Sequence, residues 1–178
     1  MRDVLSTEFN GHGYLEPGIH RMVKNDIAAS FVISFPHSTT RQSILQGYEK
    51  HSEEIVSLVG SCEQYLDGSF VTTKNDPGDI DMVIVMDAAV VDALPLPEQQ
   101  KLRELVAGPT TKSKYMCDAY YCPQYPVGHA LTDAARQQHK YWLGEFGFDR
   151  NDIPKGIVCV LLAAAAPAAP RHESLGKY

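Results

Sequence analysis

Two short segments of the chain combine residue types that do little for a fold and much for phosphate chemistry. The first is Tyr65-Leu66-Asp67-Gly68-Ser69-Phe70; the second, Asp79-Ile80-Asp81, begins ten residues after Ser69. In an extended chain residues i and i+2 share a face, so Asp79 and Asp81 project side by side while Ile80 turns into the core. Two ionised carboxylates held that close repel each other. A divalent cation removes the repulsion, and magnesium suits it, because it takes carboxylate oxygens and keeps positions for phosphate oxygens and water. Gly68 lets the backbone approach a phosphate closely, and Ser69 adds a hydroxyl beside the N–H groups of a turn. A phosphate-binding turn beside an acidic strand is the physical minimum for metal-assisted nucleotidyl transfer.

A third carboxylate would complete a second metal position and help draw a proton from an attacking group. Asp118 is the candidate, in the otherwise apolar and aromatic run Tyr115 to Tyr121. A buried charge there needs a partner. Both a metal and an ion pair with Lys or Arg satisfy that need, and the two readings stand open. Lys74, in the polar loop after the Gly-Ser turn, is an auxiliary candidate for neutralising phosphate charge. Asp67 reads as a turn-former and Asp87 as a cap for the segment that follows. The histidines show no HxH or HExxH spacing, which argues against zinc, and His51 reads as a packing residue. Tyr115, Tyr120 and Tyr121 read as core or sheet surface. Cys62, Cys117, Cys122 and Cys159 lack CxxC spacing and sit mostly in apolar runs, as buried reduced thiols do. Neither Cys117 nor Cys122 has a histidine near in sequence to activate it as a nucleophile.

These residues need a scaffold, and the periodicity supplies one. Leu45, Tyr48, Ile55, Val56 and Val59 recur at helical spacing behind the capping hydroxyls of Ser38-Thr39-Thr40, predicting a helix over 40–59 closed by Gly60. Strands are expected over 63–70, 79–86, 114–121 and 156–162, with helices over 98–106 and 132–143. The loop 72–78 is too short for a helical crossover, so the first two strands are expected to be antiparallel or splayed neighbours. The fold class is therefore α/β (α+β): a small mixed sheet of four to five strands with flanking helices, and not a doubly wound sheet. Residues 1–40, rich in Gly and Pro, read as an irregular arm packed on a domain spanning 41–162, and 163–178 as an Ala/Pro-rich and then polar tail.

Composition narrows the function classes. A formal net charge of −6 argues against a broad, sequence-independent grip on DNA, while leaving room for a local basic pocket. The N-terminal Met1-Arg2-Asp3-Val4 lacks the apolar core of a signal peptide. The apolar run 157–166 is too short to span a bilayer, so a cytoplasmic protein without a membrane partner is expected.

Gly68-Ser69 followed by Asp79-Ile80-Asp81 resembles the GS…DxD signature of the DNA polymerase β-type nucleotidyltransferase superfamily. The size is similar to that of minimal nucleotidyltransferases in toxin–antitoxin and phage-defence modules. The longer stretch from Leu66 to Thr72, with Asp76 to Asp81, resembles a group of small prokaryotic and phage proteins with this fold, as do Asp149-Arg150-Asn151, Pro154 to Val158 and Gly18-Ile19-His20. The resemblance implies a nucleotidyltransferase fold, triphosphate binding at Gly68 and Ser69, two magnesium ions on Asp79 and Asp81, and Asp118 as the third acidic ligand. It also implies transfer of a nucleoside monophosphate from ATP or another triphosphate to RNA, protein or a small molecule. One departure is that no helix is expected directly after the Gly-Ser turn. The competing expectation is a catalytically silent module of the same fold, acting through a protein partner; a hydrolase using the same metals has no sequence feature of its own.

Overall fold

The computed structural model of the chain describes residues 8–164. The 19-residue helix predicted from Leu45, Tyr48, Ile55 and Val59 runs from Arg41 to Val59 (α2). The Ser38 hydroxyl accepts the backbone N–H of Arg41 at 3.2 Å, and Gly60, at φ 77°, closes the far end as helix-ending glycines do. Its apolar stripe, with Ile44, Tyr48 and Ile55 fully buried, covers one face of a mixed sheet.

That sheet has six strands, in the order β1-β6-β2-β3-β5-β4. They are β1 (Gly18–Arg21), β2 (Ser61–Asp67), β3 (Ile80–Asp87), β4 (Ala107–Gly108), β5 (Cys117–Gln124) and β6 (Gly156–Ala163). As expected from the short connection, β2 and β3 pair antiparallel; β3 and β5 run parallel. The sheet exceeds the expected four to five strands because two short edge strands carry weak signals. Gly18-Ile19-His20-Arg21 pairs with β6, and Ala107-Gly108 with β5.

Other boundaries differ for local reasons. Lys112–Tyr115 is a helical turn (α5), so the strand expected from Lys114 begins at Cys117. Met116 separates the two in the left-handed conformation (φ 54°), which a non-glycine residue does not advertise in sequence. The first forty residues are not irregular throughout. Besides β1 they hold a helix at Lys24–Ala28 (α1), and Leu15, Ile27 and Phe31 enter the core at 1% exposure or less. Ala88–Asp92 forms a short helix (α3) capped by the Asp87 carboxylate, which accepts from Ala89 N at 2.9 Å. The helices expected at 98–106 and 132–143 are Leu96–Leu105 (α4) and Thr132–Phe146 (α6). The Pro167–Tyr178 tail lies outside the described residues. Among the described residues, no helix is long and apolar enough to cross a membrane.

Alternation along the strands divides the side chains between two cores. Leu66, Met82, Ile84, Ala119 and Val158 face α2. Tyr65, Val83, Cys122 and Ile157 face the other way, toward Phe146 and Trp142 of α6. The four cysteines are buried and free, and His51 packs edge-on against Tyr115 with Nε2 2.7 Å from Leu105 O.

Candidate functional site

Asp67 ends β2, Asp81 is the second residue of β3, and Asp118 is the second residue of β5. The strand register sets Asp67 opposite Asp81, and Asp81 opposite Asp118. Each lies two residues from an aromatic or apolar side chain of the α6-facing core, so all three project from that face, at one end of the sheet. Asp79 precedes β3 and joins them through a shared partner. The Lys112 ammonium lies 2.7 Å from Asp79 Oδ2 and 3.2 Å from Asp118 Oδ2. Of the two open readings of Asp118, the ion pair with a lysine is present, and the register sets the same residue opposite Asp81.

Asp67 departs from the expected turn-forming role. It is buried, ion-paired with the equally buried Lys155 at the entry to β6, and its desolvated carboxyl is pushed up despite that partner. The crowding falls hardest on Asp81. Burial, followed by the charges of Asp79 and Asp67, raises its pKa to about 6. Asp118 is 6% exposed, and its Oδ1 is buried without a hydrogen-bond partner among the described residues. Opposed to these four carboxylates are two ammonium groups, those of Lys112 and Lys155.

The Gly-Ser turn packs directly against the carboxylates. Gly68 has φ 80°, and a Cβ built on it would overlap Asp81 Oδ2 and stand 3.3 Å from Asp81 N. Only glycine fits this position, both for its conformation and for its approach to Asp81. A single 3₁₀ turn over Ser69–Val71 follows, so the expected absence of a helix after the turn holds. The Ser69 carbonyl accepts from the Thr72 hydroxyl at 2.8 Å, while the Ser69 hydroxyl makes no hydrogen bond among the described residues. Gly68→Ala is expected to destabilise the chain by about 1–3 kcal/mol, through a strained φ and a displaced carboxylate. Thermal melts of the two chains check this.

Lys74 is exposed in the 72–78 loop, and its carbonyl oxygen is what the fold uses, accepting from Arg41 at 2.6 Å. Tyr120 forms a wall beside the carboxylates, its ring 4.7 Å from that of Trp142 and against Gly108. A groove of about 540 Å3 on the α2 side holds Glu54, Lys101 and Lys114, charges already paired with one another. None of the four carboxylates lines it.

Among the described residues, no three His, Cys, Asp or Glu side chains form a ready group for a metal ion; Lys112 lies on two of the carboxylates instead. The donor set nevertheless fits a divalent cation: all-oxygen, uncompensated in charge, with one buried carboxylate oxygen lacking a partner. Lys112, Lys155 and the place of Asp67 went unread in the sequence. For Asp67 a signal existed, since it lies two residues after Tyr65 and therefore on the same face of the strand.

Residues 7–161 match the family of unknown function DUF6932. No curated protein matches the chain, and neither does any solved structure.

Proposed function

The chain belongs to the DUF6932 family, and we propose that it is a magnesium-dependent nucleotidyltransferase of the polymerase β-type fold. It would move the nucleoside monophosphate of a triphosphate to a hydroxyl of RNA, protein or a small molecule. One observation carries this reading: three strands bring Asp67, Asp81 and Asp118 into register at one sheet end, beside Asp79 and a glycine turn packed on Asp81. Folding alone gives no reason to collect four carboxylates there, because their mutual repulsion destabilises the fold.

Magnesium on Asp79, Asp81 and Asp118 would supply charge neutralisation at the phosphates and acidify the attacking hydroxyl. The Gly68-Ser69 turn offers the phosphates a close backbone approach and the unpartnered Ser69 hydroxyl. Lys112, with Lys74 as an auxiliary, offers positive charge to the same oxygens. Asp118 Oδ1 is suited to take the proton that the acceptor hydroxyl loses as it attacks the α-phosphorus and pyrophosphate departs.

Titrating each nucleoside triphosphate with magnesium into the native chain, and into Asp79→Ala/Asp81→Ala, tests the reading. One triphosphate is expected to bind the native chain, with binding abolished in the double variant. The second reading, a catalytically silent module, draws on Lys112 already neutralising Asp79 and Asp118. Absence of triphosphate binding to either chain would favour it.

A further inference from the structure

Lys112 has a fixed root and a free tip. The Thr111 hydroxyl, buried, lies on the carbonyls of Gly108 and Cys117. Met116 N donates to Lys112 O at 2.9 Å, and Ile80 N to Met116 O at 3.0 Å, which ties the turn to the start of β3. The Lys112 side chain itself is 41% exposed, and among the described residues two carboxylates alone hold its ammonium. It serves one oxygen of Asp118 and leaves the other, Oδ1, buried and unpartnered. A lysine brings a single charge and three donors to a cluster of four carboxylates, where Lys155 is already committed to Asp67. The occupant is therefore electrostatically insufficient and sterically able to leave.

We propose that Lys112 is a resident counter-ion, displaced from Asp79 and Asp118 by the divalent cation and transferred to the polyphosphate when nucleotide arrives. This rests on the nucleotidyltransferase reading and adds a regulation to it. A cation entering alone must eject the ammonium into solvent, where only water replaces the two carboxylates. A cation entering with a polyphosphate gives the ammonium new oxygens to bind. Metal and polyphosphate then bind with positive coupling, and by linkage each raises the affinity for the other equally. The device keeps a cluster of carboxylates from holding metal idly when no nucleotide is present.

The experiment titrates Mn2+ alone into the full chain, followed by the paramagnetic signal of free Mn2+, for native protein, Lys112→Met, Lys112→Gln and Lys112→Arg. Circular dichroism melts establish that each is folded; the half-exposed side chain makes this the expected result. Removing the competing charge in Lys112→Met and Lys112→Gln is expected to tighten Mn2+ binding about tenfold, a difference of about 1.4 kcal/mol. Lys112→Arg, which keeps a cation, should show no such gain. Inorganic tripolyphosphate is then titrated with and without Mn2+. The metal should strengthen its binding to the native chain more than to Lys112→Met. Unchanged or weaker Mn2+ binding in both neutral variants overturns the counter-ion role while leaving the nucleotidyltransferase reading intact. Failure of every chain to bind Mn2+ at millimolar concentration overturns both.

Discussion

Arg41→Leu is expected to lower the melting temperature by about 10 °C or more, from a loss of roughly 3–5 kcal/mol. Arg41 is the largest fully buried side chain of the described residues, at 0% exposure. Among the described residues its guanidinium has no carboxylate partner within bonding distance and instead donates to five backbone carbonyls. These belong to Phe31 and Phe70 at 2.8 and 2.6 Å, Thr72 and Lys74 at 2.7 and 2.6 Å, and Asn75 at 3.3 Å. Burial lowers its pKa only to about 10, so the group is charged at neutral pH. The ring of Phe35, 3.8 Å from the guanidinium carbon, adds a cation–π contact. Leucine keeps some apolar volume but strands five carbonyls, each with its own desolvation cost. Lysine keeps the charge with three donors in place of five, so Arg41→Lys should recover less than half of the loss. Chemical denaturation of the three chains side by side measures both effects.

The consequence reaches the candidate site, because the five carbonyls include the loop that follows the Gly-Ser turn. Asp76 fastens the far side of that loop, accepting from Thr39 N at 2.6 Å at the start of α2. Thr73 N donates to Gly13 O at 2.9 Å, adding the N-terminal segment as a third anchor. What reads as a polar Pro-Gly loop is thus held on three sides, and the turn at Gly68 inherits its rigidity from helix, loop and arm together.

This pattern explains what was legible in the sequence. Asp79-Ile80-Asp81 was readable because alternation is a local rule, and Ile80 does bury fully while Asp81 points away. The long helix was readable because its stripe repeats within nineteen residues. Gly68 was readable because turn chemistry depends on neighbours in the chain. Lys112, Lys155 and Arg41 were not, since their meaning lies in partners brought by other strands; Lys155 meets Asp67 across 88 residues of chain. The α5 turn carrying Lys112 was concealed further by the left-handed Met116 behind it. Edge strands β1 and β4, of four and two residues, are fixed by pairing with β6 and β5 rather than by a pattern of their own.

Asp81→Asn should make the metal-free protein more stable and the site inert. Asp81 has a pKa of about 6 in the fold against 3.8 for an ordinary aspartate, with burial as the first cause and neighbouring carboxylates next. A raised acid pKa means the folded state favours the proton. The stabilisation is therefore complete below pH 3.8 and is lost as pH rises through about 6. Asparagine matches the neutral form in shape and has no charge to develop. The stability difference between variant and native chain should accordingly be smallest near pH 4, grow between about pH 4 and 6, and level off above. Allowing for solvent screening at a partly exposed carboxylate, its plateau is about 1–2 kcal/mol in favour of the variant. Taking the difference removes the opposing slope from carboxyls such as Asp76 and Asp149, which hydrogen bonds hold below their ordinary values in both chains. Under the nucleotidyltransferase proposal, magnesium reverses the order: the native chain gains stability with added metal and the variant does not. Turnover in the variant should fall by about 10³-fold or more, the several kcal/mol that a metal-held phosphate site contributes. Denaturant melts from pH 4 to 8, with chelator and then with magnesium, separate the two effects. A variant no more stable than the native chain at pH 7.5 without metal would show that the carboxylates do not repel as their register implies. A variant stabilised as expected, beside a native chain that magnesium leaves unchanged, would retain the crowded site and remove its metal.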